Sequence, residues 1–121
     1  MSLQNFTNIL RSFKYAGRGV WYVVRRERTF QIHVLAAIVV GVLIIILPLR
    51  AWEVIVLVMM VVLVMILEIV NTAMEKIIDV LKPRIHFYVQ IVKDLMAAAV
   101  LLGSLAALVV GLIIFWPHIF T

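Results

Sequence analysis

Residues 54–79 read VIVLVMMVVLVMILEIVNTAMEKIID. The fourteen residues from Val54 to Leu67 carry no polar side chain. A bilayer crossing needs about 20 apolar residues, and this helix does not stop where the apolar run stops. Glu68, Asn71, Glu75 and Asp79 continue the helical spacing until Pro83 ends it. The stretch predicts a membrane helix over about 52–80, with a carboxylate at the membrane boundary and a polar end beyond it.

Two further spans flank it. One runs from Phe30 to Leu49, with Gln31 and His33 at its entrance. Pro48 and the segment Arg50 to Glu53 turn the chain into the second span. The third runs from Leu95 to Trp116, within a helix predicted over 93–116; Ser104 is its one polar residue and Pro117 follows. Ala99, Gly103, Ala107 and Gly111 recur every fourth residue, a ladder that lets another helix approach closely. Upstream, Phe6, Ile9, Leu10, Phe13, Gly17, Val20, Trp21 and Val24 share one helical face. Arg11, Lys14, Arg18 and Arg25 fall mostly off it. A basic helix with aromatic anchors, about residues 5–28, reads as lying in the membrane interface.

Composition agrees with one integral membrane domain over 1–121. Hydrophobic residues make up 66% of the 121 and cysteine is absent, which removes disulfide, iron–sulfur and thiolate chemistry. The net charge of +5 sits beside apolar spans, so its partners are anionic lipid headgroups rather than nucleic acid. The N-terminus lacks the apolar core and cleavage site of a secretory signal. Basic residues crowd before the first span and between the second and third. The positive-inside rule then puts the N-terminus and that connection in the cytoplasm, and the C-terminus outside.

Glu68, Asn71, Glu75 and Asp79 fall within about 80° of one another around the helix. Ionisable groups at membrane depth mark functional sites by default. Three plainer readings remain: a solvated helix end, ion pairs with Arg84 or Lys93, or a polar interface that fixes an oligomer. As a site, the stripe suits phosphoryl transfer. Glutamates a turn or two apart hold a hard divalent cation, another in apolar surroundings serves as general base, and Lys93-Asp94 on the same membrane side offers charge for phosphates. Glu27, amid Arg25, Arg26 and Arg28, reads by itself as a salt-bridged surface residue. No Walker A loop, glycine-rich kinase loop or zinc-spaced His/Cys set is present. Any nucleotide site here is not of a soluble kinase type.

The segment Glu68-Ile-Val-Asn71-Thr72-Ala73-Met74-Glu75, with Asp79, His86 and Lys93-Asp94 at their spacings, resembles the small prokaryotic diacylglycerol kinase family. Ala16 to Trp21 and Glu27 to His33 are similar to its Gram-positive branch, whose members act as undecaprenol kinases. The likeness covers nearly the whole chain, without gaps from about Arg11 to Leu102. It implies an all-α integral membrane fold, with a surface helix and three transmembrane helices, assembled as a homotrimer with sites at subunit boundaries. It implies Glu68 as catalytic base with Asn71 beside it, and Glu27 and Glu75 as magnesium ligands, which reverses the plain reading of Glu27. It implies that Tyr15, Arg84, His86, Lys93 and Asp94 meet ATP together with Glu27, Glu75 and Asp79, and that Arg18, Gln31 and Glu68 meet the lipid. Departures are Asn8, where relatives often carry arginine, the bulkier Val89 to Val92, and Met96 and Ala98. The expected activity is ATP- and Mg2+-dependent phosphorylation of a membrane alcohol in the cytoplasmic membrane, undecaprenol first and diacylglycerol second. The rivals are a small proton- or cation-coupled transporter and a non-catalytic membrane assembly subunit.

Overall fold

The structure, a computed structural model, describes residues 2–81 and 86–120, and of His86 the backbone alone. It contains helices α1 (Leu3–Arg26), α2 (Arg28–Ile46), α3 (Ala51–Leu81) and α4 (His86–Phe120). The chain is all-helical among the described residues. Helices α2, α3 and α4 are each long and apolar enough to cross a bilayer, so the chain is a multi-pass membrane protein.

The helix ends follow local chemistry. The Ser2 hydroxyl accepts the Asn5 amide at 3.3 Å and caps α1. Glu27 is extended at φ −107, ψ 112 and is at once the C-cap of α1 and the N-cap of α2. Gln31 holds this elbow, its amide nitrogen donating to the carbonyl of Val24 at 2.9 Å and of Arg25 at 3.4 Å. Those α1 carbonyls would otherwise lack partners. Leu47 is extended because Pro48 follows it, so α2 stops at Ile46, short of Leu49. The Arg50 amide donates to Glu53 Oε1 at 2.9 Å and starts α3.

Helix α4 exceeds the sequence expectation at both ends. It starts at His86 rather than at residue 93 and runs through Pro117 to Phe120. Its first turns are polar enough to hide from a hydropathy reading, yet Val89 is buried. Proline deprives a helix of one donor and crowds the turn before it, and so close to the end the helix continues by one more turn. That turn is held by the Trp116 and Phe120 rings, 4.4 Å between centroids, and by His118, described below.

Helix α3 is the centre of the bundle, packing on both α2 and α4, which do not pack on each other. Its inward stripe is Glu53, Leu57, Val64, Glu68 and Thr72. Opposite, α4 buries Val89, Gly103 and Ile114. Gly103 is where the small-residue ladder matters: a Cβ there would overlap Leu67 Cδ1 of α3. The ladder therefore serves contact inside this chain at that rung. Ala107 and Gly111 instead help line a groove of 440 Å³ between α2 and α4, floored by α3. Most large apolar side chains face outward, as they do where lipid is the solvent. Helix α1 is exposed over its whole length up to Tyr22 and buries only Val23.

Candidate active site

Helix α3 has 31 residues, roughly 46 Å of helix against roughly 30 Å of hydrocarbon. Pro48, Arg50 and Trp52 mark its first end as the membrane edge. Glu68 lies 17 residues after Ala51, roughly 26 Å along the axis. That is the far edge of the bilayer core, not its middle. A transporter carboxylate would sit nearer mid-depth.

Glu68 is 3% exposed. The chain's own helices therefore shield it. Its Oε1 lies 3.1 Å from His33 Nε2 on α2. The approach is close but not aligned as a hydrogen bond, and Oε1 is buried with no hydrogen-bond partner. The adjoining Thr72 hydroxyl donates to the Glu68 backbone carbonyl at 3.0 Å, leaving the carboxylate alone. A buried carboxylate oxygen without a hydrogen bond is costly, and ionisable groups kept at such depth mark functional sites by default.

The rest of the stripe grades outward. Asn71 is half-buried, while Glu75 and Asp79 are exposed. Glu27, at the α1–α2 elbow, occupies an N-cap position without capping. Its carboxylate is thus not spent on the helix end. Glu27 and Asp79 both lie within electrostatic reach of Lys76, whose ammonium stands 5.9 Å from the centre of the Tyr22 ring. The elbow and the polar end of α3 thus meet within one chain. Beside them Arg18, Trp21, Tyr22, Arg25 and Arg26 form a basic, aromatic concavity.

Other expected site residues stand apart. Tyr15 is exposed on α1, with Arg18 of its own helix 5.9 Å from the ring centre. Lys93 is half-buried and Asp94 exposed on α4. Asp94 accepts a hydrogen bond from Gln90 at 2.8 Å. Arg84 and the side chain of His86 lie outside the described residues. Among the described residues no three His, Asp or Glu side chains gather around a common metal position. Glu27 and Glu75 are nonetheless hard oxygen donors, and one or two such carboxylates suffice for Mg2+ that arrives with phosphates. The donor chemistry fits the ion.

Sequence reasoning left two residues unassigned. His33 reads as an interfacial histidine, because its partner is 35 positions away. His118 reads as a tail residue, yet its Nε2 lies 3.1 Å from buried Glu53 Oε2 and fastens the end of α4 to the start of α3. His33 has one further property. It lines the upper end of the groove, which otherwise presents aliphatic and aromatic side chains and Ser104.

Residues 14–115 match the family model described as prokaryotic diacylglycerol kinase. The chain is 33% identical over 109 residues to an undecaprenol kinase of Bacillus subtilis, an alignment covering 90% of this chain and 89% of that protein. It is 39% identical over 105 residues to a diacylglycerol kinase of Synechocystis, covering 86% of this chain and 60% of that longer protein.

Proposed function

The chain belongs to the prokaryotic diacylglycerol kinase family and is a lipid kinase, and from that premise we propose that it transfers the γ-phosphoryl group of ATP to undecaprenol. The observation that carries the reading is a buried carboxylate, Glu68, at the membrane edge, joined through His33 to a long apolar groove. A soluble alcohol has no need of such a groove; a polyprenol does. The alignment also takes in 89% of the relative named for undecaprenol, against 60% of the longer one named for diacylglycerol.

Glu68 takes the hydroxyl proton of the lipid. The freed oxygen pair forms the new bond to the γ-phosphorus. The bond from that phosphorus to the bridging oxygen breaks, and its pair leaves on ADP. Asn71, half-buried beside Glu68, orients the hydroxyl. Glu27 and Glu75 would hold Mg2+, which would neutralise phosphate charge. Asp79, Lys93, Asp94, Tyr15, Arg84 and His86 complete the nucleotide site, while Arg18 and Gln31 border the lipid entrance beside α1, which lies in the interface.

Glu75 and Asp79 are exposed in the single chain, and Tyr15 and Lys93 do not meet them there. A homotrimer would close the site by bringing these parts together from neighbouring subunits. The cytoplasmic placement of the N-terminus, from the basic residues, puts the polar end of α3 on the side where ATP is found.

The test is a reconstituted assay with radiolabelled ATP. Label should appear in the lipid fraction only when a long-chain alcohol is present, and undecaprenol should be phosphorylated faster than diacylglycerol at equal mole fraction. Faster labelling of diacylglycerol would reverse the substrate assignment. ATP consumption indifferent to either lipid would remove the lipid alcohol from the reaction.

A further inference from the structure

The lipid-kinase reading assigns no role to His33, and the inference here rests on that reading. We propose that His33 is a positioning residue for Glu68: its Nε2–H holds Oε1, fixes the carboxyl rotamer and leaves Oε2 to receive the lipid hydroxyl proton.

Four observations converge on this. Glu68 is 3% exposed, so its carboxyl group has no water shell to orient it. The buried oxygen is Oε1, and it has no hydrogen-bond partner. The polar atom facing it is His33 Nε2, 3.1 Å away but not aligned as a hydrogen bond. Thr72, one turn along α3, spends its hydroxyl on the Glu68 backbone carbonyl. From Val34 to Ile46 helix α2 carries no polar side chain, so His33 is the deepest polar group that α2 contributes. It is also the polar side chain that both lines the groove and meets the carboxylate.

The physical consequence is a division of labour between the two oxygens. A free carboxyl group in an apolar site can rotate and present either oxygen or neither. A donor on one oxygen selects a single rotamer. The same contact makes His33 the last polar group beside an apolar chain in the groove, so a lipid whose hydroxyl reaches Glu68 does so past the imidazole edge. A contact that merely bound α2 to α3 would serve stability and leave kinetics alone.

The experiment compares His33→Leu and His33→Gln in the full-length protein reconstituted in lipid, with undecaprenol and MgATP. Leucine removes the donor; glutamine keeps an N–H at similar reach. For His33→Leu, kcat should fall on the order of 10²-fold, the usual cost of a misplaced catalytic group, with the KM for MgATP unchanged. His33→Gln should recover most of that loss. In a Glu68→Gln background, His33→Leu should add no further loss, because two residues acting through one group are not additive. Wild-type kcat in His33→Leu overturns the proposal. So does equal loss in the leucine and glutamine variants, or an additive loss in the Glu68→Gln background. A raised lipid KM at unchanged kcat makes His33 groove wall only and overturns it too. The wild-type control separates the two levels: without lipid-dependent turnover there, the kinase reading itself fails, and with it only the role of His33 is at stake.

Discussion

Replacing Glu68 by glutamine separates catalysis from stability, because the structure makes the two effects opposite in sign. The variant keeps the shape of a side chain that is 3% exposed, so no cavity forms. It keeps an oxygen that can face His33 Nε2, now 3.1 Å from Oε1. It removes a charge whose burial costs several kcal/mol unless well paired, and Oε1 has no hydrogen-bond partner. Folding should therefore be unharmed or improved. What is lost, on the proposed reading, is the proton acceptor. General-base catalysis contributes typically 10²–10⁴-fold, or about 2.7 kcal/mol of barrier at the lower bound. The expected result is a kcat at least 10²-fold lower, with unchanged KM for MgATP and a thermal midpoint in detergent equal to or above that of the parent. Turnover and melting are measured on the same preparation. Near-normal kcat would remove Glu68 from the proton transfer. A lowered midpoint would refute the claim that its charge is held at a cost.

Three other outcomes are expected. Glu75→Gln and Glu27→Gln should each raise the Mg2+ concentration for half-maximal activity, since each removes an anionic oxygen from a hard cation; an unmoved Mg2+ titration for Glu27→Gln would return that residue to the elbow alone. Gly103→Ala should change melting little, because the helix-propensity gain of about 1 kcal/mol offsets the push on Leu67 Cδ1, whereas Gly103→Leu should cost about 1–3 kcal/mol by overpacking and lower the midpoint; equal melting of the two would deny the close approach. Co-assembled Glu68→Gln and Glu27→Gln subunits should regain partial activity if a site draws on two chains, and mixed oligomers that stay inactive would confine the site to one chain.

The spans were legible because long apolar runs have few other uses, and the buried carboxylate because Glu68 directly follows one of fourteen residues. The stripe was legible as a shared helical face, but not as a gradient. Periodicity places Glu68 and Glu75 on one side of α3, yet only packing against α2 and α4 decides that the first is buried and the second exposed. His33 and His118 were opaque for a different reason. Each meets a glutamate on another helix, and a lone histidine at a membrane edge has the same local signature whether or not it has a partner. The start of α4 at His86 was missed because hydropathy detects membrane, not helix, and this helix begins before its apolar part does.

One histidine–glutamate contact sits at the start of α3, toward α4, and the other just past its midpoint, toward α2, with the Leu67–Gly103 notch beside the second. Lipid tails give transmembrane helices no hydrophobic reason to stay in axial register. Here register is set mechanically, as a key is set by several pins. Sliding α3 by one turn, 5.4 Å, would lift Leu67 out of its notch and part both contacts together. No single pin can slip without the others, so the depth of Glu68 in the bilayer is locked to the assembly of the bundle. A chain that has folded at all has therefore already set the height of its carboxylate.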